Sequence, residues 1–344
     1  MPDLLRRHLL WTGALAPLAL ALPSPARAKV PPAPAGLSAG STAEQATACL
    51  AAGSTAEQAT ACLSAGSTAE QATAGLDLRG RTILVTGCNS GIGLETMRVL
   101  ALRGAHVIGT ARTPDKGKAA CASVSGRATP VVLDLADVRA VRDCAAQVHQ
   151  LAPRLDALVC NAGIVLDDWE KVDGLEKQFV VNHLGHFLLA EQLLDRVVAA
   201  RGRVIVLGSG DHRNAPAGGI QFARLSGEGW YRRGYSHSKL ANGLFSLELA
   251  RRLQGTGATS NCVTPGHTRT AILRNSGSNY REDARTPAQG AATPCYAAVH
   301  PAMAGVSGAY LRDFTAGEQS AQQQDAAMAA RLWAVSRELV ARNA

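Results

Sequence analysis

The sequence predicts an α/β fold, a single doubly wound parallel sheet of about seven strands with helices on both faces. Three observations predict it. From Asp77 onward, short apolar runs recur at Thr82–Thr86, His106–Thr110, Val131–Asp134, Ala157–Cys160, Arg203–Leu207, Ser260–Thr264 and Gly308–Leu311, and helical patterns fill most of the intervals. The runs are continuously apolar rather than alternating, which is the pattern of strands covered on both faces. Apolar residues make up 47% of the 344 and aromatic residues only 4%, so Ala, Val, Leu and Gly supply the bulk, as close packing of helices on a sheet requires.

Taken in order, residues 1–28 read as an export signal: Arg6 and Arg7, an apolar stretch from Leu9 to Leu22, then Ala26, Arg27 and Ala28 as a cleavage site. The stretch is too short for a stable membrane span, which takes about 20 residues. The adjacent arginines resemble a twin-arginine signal, so the expected location is periplasmic or exported, with a membrane anchor or a cytoplasmic location as alternatives. Residues 29–39 form a Pro-rich linker through Pro31, Pro32 and Pro34. Residues 40–76 hold a tandem repeat of period 13, at Gly40, Gly53 and Gly66, each copy beginning G-S-T-A-E-Q-A-T-A. Such units are too short for a solenoid; each reads as one brief helix with a Ser or Thr N-cap and a Glu in its first turn, as at Ser67, Thr68 and Glu70. Residues 77–344 form the α/β domain. Its last helix is marked by Met328, Leu332, Val335 and Leu339 at spacings of four, three and four.

The formal charge of +8 comes from dispersed basic residues, with no basic run or row of stacking aromatics, so nucleic acid is not an expected partner. Eight cysteines show no CxxC pair and no zinc spacing, and read as small buried hydrophobes rather than metal ligands. His183, His186, His212 and His237 likewise lack a completing ligand set and read as core or surface histidines.

After the first strand comes Thr86, Gly87, Cys88, Asn89, Ser90, Gly91, Ile92, Gly93, then a helical stretch. Glycines between a strand and a helix let backbone N–H groups approach a pyrophosphate at the helix's positive end. At the end of the second strand stands Arg112, where an NAD site places a carboxylate. Its guanidinium suits a 2′-phosphate, with Ser90 adding a hydrogen bond, so NADP(H) is expected over NAD(H). Tyr235 and Lys239 are four apart in a helical stretch and so share a face. A tyrosine pKa of about 10 makes a poor acid or base near neutrality, and a neighbouring ammonium favours the phenolate. Ser209, after the fifth strand, offers a hydroxyl to a substrate oxygen.

The glycine spacing G-x-x-x-G-x-G together with Tyr235 and Lys239 resembles the short-chain dehydrogenase/reductase family, and the stretch Tyr235 to Leu253 looks most like its retinol-dehydrogenase-like and protochlorophyllide-reductase-like branches. The resemblance runs from about Leu78 to the C-terminus. It implies a Rossmann-type sheet and an NADP-linked oxidoreductase acting on CH–OH groups. Asn182, Ser209, Tyr235 and Lys239 take the catalytic places, Asn182 as the helical asparagine that holds a relay water. Asp134 and Leu135 fall beside the adenine, Asn161, Ala162 and Gly163 match the N-A-G element, and Pro265, Gly266, Thr268 and Thr270 lie beside the nicotinamide. Departures are Cys160, where many relatives carry a second Asn, and Cys88 in the glycine loop. The implied partner is a small, apolar carbonyl or alcohol substrate, and a homo-oligomer is compatible with the family. The rival reading is a non-catalytic NADP-binding sensor or scaffold on the same fold, which such proteins reach by losing the tyrosine or lysine. Substrate choice is expected to rest on residues about 271 to 286.

Overall fold

The computed structural model describes residues 63–272 and 282–342. The export signal, the linker, the first repeat copy and most of the second lie outside the described residues, as do Cys49, Cys62 and much of the stretch expected to choose substrate.

One eight-stranded sheet organises the chain. It is built from β1 (Thr82–Val85), β2 (His106–Ala111), β3 (Ala128–Val132), β4 (Ala157–Cys160), β7 (Arg203–Leu207), β8 (Thr259–Thr264), β9 (Tyr310–Arg312) and β10 (Thr315–Ala316), in the order β10-β9-β8-β7-β4-β1-β2-β3. All pairings are parallel except β10 on β9. β1, β2, β4 and β8 are almost wholly buried, which accounts for their continuous apolar runs. β3 starts three residues before the apolar run that marks it, because it is an edge strand with one wet face. Its Pro130 lacks an N–H, a defect an edge tolerates. A separate hairpin, β5 (Lys171–Val172) with β6 (Leu175–Glu176), has no apolar signature and was not predicted.

Helices cover both faces: α2 (Gly91–Leu102), α3 (Pro114–Ala122), α8 (Pro287–Gly290) and α9 (Ala292–Val299) border one apolar cluster, and α4 (Val138–Leu151), α6 (Gly185–Ala199), α7 (Gly234–Arg252) and α10 (Ala326–Arg342) the other. α6 continues α5 (Lys177–Phe179) through a single π-turn at Val180–Leu184. α10 is the helix expected from Met328 to Leu339, with Leu332 buried in the core.

The third repeat copy forms the expected short helix, α1 (Ala69–Ala72), N-capped by Thr68; Gln71, rather than Glu70, closes the capping box. It is packed into the body. Ala69 and Ala72 are buried, Glu70 pairs with Arg98 of α2, and the Gln289 amide donates to the Gly66 carbonyl at 3.1 Å. The six described cysteines are all buried and free, in keeping with their reading as small hydrophobes. Among the described residues no helix is long and apolar enough to cross a membrane.

Candidate active site

β1 and β4 are neighbours although the chain winds away from β1 in one direction and returns on the other side, so their carboxyl ends open into a crevice. A cleft of about 1360 Å³ lies there. That exceeds the few hundred to roughly 1,000 Å³ of a pocket for one small ligand. After β1 the chain turns at Gly87, whose φ of 71° suits glycine. A Cβ at Gly93 would lie 2.2 Å from the Gly87 carbonyl oxygen, so only glycine lets the first turn of α2 close on the loop. The unpaired N–H groups of that turn sit at the helix's positive end. Ser90 is the N-cap and makes no side-chain capping bond; Asn89, Ser90, Gly91 and Ile92 line the cleft with Gly87 and Gly93.

Opposite them, Asn161, Ala162 and Gly163 follow β4 on the wall. The Asn161 amide donates to the Thr86 carbonyl at 2.7 Å, so its side chain ties the two loops together. Arg112 stands exposed after β2, and Asp134 and Leu135 follow β3. The Asp134 carboxylate accepts from the Ala136 N–H at 2.9 Å, which fixes that turn. Pro265, Gly266, Thr268 and Thr270 follow β8 on the same wall, where Arg285 donates to the Pro265 carbonyl at 3.2 Å and pairs with Asp313 at 2.7 Å.

The reactive groups meet between these ends. Tyr235 and Lys239 lie in the first turns of α7, and the Lys239 Nζ is 5.5 Å from the centroid of the Tyr235 ring. Nζ donates to the Leu207 carbonyl at 3.0 Å. Burial pushes the Lys239 amine down to about 8, against a smaller upward pull from Cys262. Burial pushes the Tyr235 phenol up to about 12; a hydrogen bond with Ser209 opposes this and the Asp211 carboxylate adds to it. The lowered tyrosine pKa expected from the neighbouring amine is therefore not a property of the protein groups alone. Desolvation of a phenolate outweighs them. Ser209, after β7, accepts from the Asp211 N–H at 3.2 Å, and its carbonyl accepts from His212 Nδ1 at 2.7 Å.

Every cofactor-site residue expected from the sequence lines this cleft, as do Ser209, Tyr235 and Lys239. Asn182 does not. It is fully buried in the π-turn, where Nδ2 donates to the Ile164 carbonyl (3.0 Å) and Ser238 Oγ (2.9 Å) and Oδ1 accepts from the Ile164 N–H (2.8 Å). Its amide braces the wall from behind, holding Ile164 and Ser238. The four histidines that invited a metal reading are all core residues. The sequence did not single out Asp211, which lines the cleft and accepts from Ser236 Oγ and Asn214 Nδ2, nor Arg213 and Arg232 on the cleft wall. Asp211 follows Ser209 by two residues, and an acidic residue in that 3₁₀ turn was the signal available.

Comparison with known proteins settles the family. A model of the short chain dehydrogenase family matches residues 81–281, more than half of the chain. The chain is a short-chain dehydrogenase. This short-chain dehydrogenase is similar to retinol dehydrogenase 11 of Mus musculus, 38% identical over 280 residues that cover 77% of this chain and 88% of that one. It is also similar to the chloroplastic short-chain dehydrogenase TIC 32 B of Brassica napus, 36% identical over 288 residues that cover 77% and 90% of the two chains. Among solved structures, a protein from Mycobacterium Paratuberculosis superposes with a TM-score of 0.64 at 32% identity, over 78% of this chain and 96% of that one. The enzyme is therefore an oxidoreductase of a family that binds nicotinamide cofactors, and it is retinol-dehydrogenase-like.

Proposed function

We propose that this short-chain dehydrogenase interconverts an alcohol and a ketone or aldehyde with NADP(H), using Tyr235 as general acid and base. The observation that carries the reading is the meeting of Tyr235, Lys239 and Ser209 on one wall of a cleft whose other end is a glycine loop at a helix N-terminus. The residues fit a dinucleotide. Gly93 leaves no room for a side chain, the N–H groups of the first turn of α2 suit a pyrophosphate, and Arg112 takes the place after β2 where an NAD site carries a carboxylate.

When bound, NADPH supplies the hydride. Ser209 gives its hydroxyl hydrogen to the carbonyl oxygen and so polarises it. Tyr235 donates the phenolic proton to that oxygen as negative charge develops; burial favours the protonated phenol, the form reduction needs. Lys239 has one N–H engaged by the Leu207 carbonyl and two left to hold a ribose, and its charge favours the phenolate that remains. Asn182 acts from behind the wall, through its amide bonds to Ile164 and Ser238. The substrate end carries Ile164, Val165, Leu166 and Ile272 beside the charged Arg213, Arg232 and Glu318. With the names of the retinol dehydrogenases it resembles, this supports a substrate with an apolar body. A non-catalytic sensor would not need Ser209, Tyr235 and Lys239 together. The leader supports export to the periplasm as part of the proposal.

The test is consumption of NADPH, against NADH, over ketones, aldehydes, retinoids and steroids. The expected result is turnover of at least one class with NADPH preferred. Binding of neither cofactor overturns the reading.

A further inference from the structure

One buried side chain outside the cleft wall ties the two halves of the site together. His186, in the first turn of α6, is 1% exposed, and its two ring nitrogens have different partners. Nε2 lies 2.9 Å from Thr86 Oγ1, and Nδ1 lies 3.1 Å from the Asn182 carbonyl oxygen.

The donors and acceptors around the ring assign its proton. Thr86 Oγ1 already accepts the N–H groups of Asn161 and Ala162, at 2.9 Å each, so both its acceptor positions are used and its hydroxyl hydrogen remains to give. The other acceptor in reach, the Val159 carbonyl, is 3.4 Å away, so the hydrogen goes to Nε2. A carbonyl only accepts, so the nitrogen facing Asn182 carries the N–H. The ring is neutral, protonated on Nδ1, with both nitrogens satisfied. Burial disfavours any second proton; the bond to the Asn182 carbonyl opposes this, and the Lys239 charge adds a little to it.

We propose that His186 is a positioning residue that couples the cofactor loop to the catalytic turn. Through Thr86 it holds the backbone at Asn161 and Ala162, the segment a Cβ on Gly87 would strike. Through the Asn182 carbonyl it holds the π-turn, whose amide reaches Ser238 Oγ at 2.9 Å, and Ser238 in turn donates to the Tyr235 carbonyl at 2.7 Å. An unbroken series of hydrogen bonds thus runs from the loop after β4 to the residue bearing the phenol. The assignment rests on the oxidoreductase reading above for its kinetic consequences, but not for the tautomer.

Two substitutions separate the links. His186→Asn retains an N–H at the place of Nδ1 and loses the Thr86 bond; His186→Gln retains a polar group at the reach of Nε2 and loses the Asn182 bond. His186→Asn is expected to raise the KM for NADPH more than it lowers kcat, His186→Gln to do the reverse, and His186→Phe to do both, by roughly tenfold or more, since small misplacements in a site cost on that scale. Nitrogen NMR of the wild type is expected to show Nδ1 protonated and Nε2 bare. Parallel changes in KM and kcat that follow loss of melting temperature in all variants, or the opposite tautomer, overturn the proposal. A wild type that binds and turns over neither NADPH nor NADH overturns the oxidoreductase reading instead, leaving the tautomer measurement to decide on His186.

Discussion

At Lys239 burial and chemistry oppose each other. The proposed role needs a charged amine, while its buried position pushes the amine down to about 8. Below that value the ammonium is present and above it the amine is neutral, so kcat/KM for NADPH-linked reduction is expected to fall as pH rises through about 8. A steady-state pH profile of the enzyme checks this; a rate that stays level to pH 10, well above that value, contradicts the role. Tyr235, Lys239 and Ser209 were legible in the sequence because each sits at a fixed offset from a strand end or from the other. His186 was legible only as a core histidine, and Asp211 only as an acidic residue two positions past Ser209. Their roles depend on partners far along the chain: Thr86 is 100 residues from His186, and Ser236 is 25 from Asp211. No spacing rule reaches that far.

Among the elements, α1 shows most about what a short repeat can do. An isolated four-residue helix is unstable in water. This one is held because Ala69 and Ala72 bury against α9 and its neighbours while Arg98 and Arg103 engage Glu70 from outside. Ala72→Asp places an unpaired carboxylate in that contact and is expected to cost about 2–4 kcal/mol. Glu70→Ala removes only a partly exposed ion pair, worth about 1 kcal/mol or less. Urea unfolding of the two variants checks the ranking; an equal, small effect from both means that α1 does not belong to the folded body. The parallel strands were readable because both of their faces are covered. The start of β3, the β5–β6 hairpin and β10 were not, because an edge or a two-residue strand carries no apolar run.

For the molecule as a whole, buried histidines work against the folded state in acid. His183 and His237 are pushed down to about 3 and His186 to about 4, in each case chiefly by burial. The unfolded chain takes up these protons near pH 6.5 and the folded protein does not, so stability is complete above that pH and is lost as pH falls toward 4, by about 1.4 kcal/mol per pH unit for each group. Urea midpoints at pH 7 and pH 5 check this, and equal midpoints contradict it. The doubly wound topology matters to function because it brings the loops after β1, β4, β7 and β8 to one crevice, where the glycine loop and the phenol face the same space. The most direct test of the account is turnover by Tyr235→Phe with NADPH and an accepted carbonyl compound, alongside NADPH binding by fluorescence. A fall in kcat of about 10²–10⁴-fold with binding retained is the predicted result; a variant that binds NADPH and reduces the carbonyl at the wild-type rate contradicts the central claim.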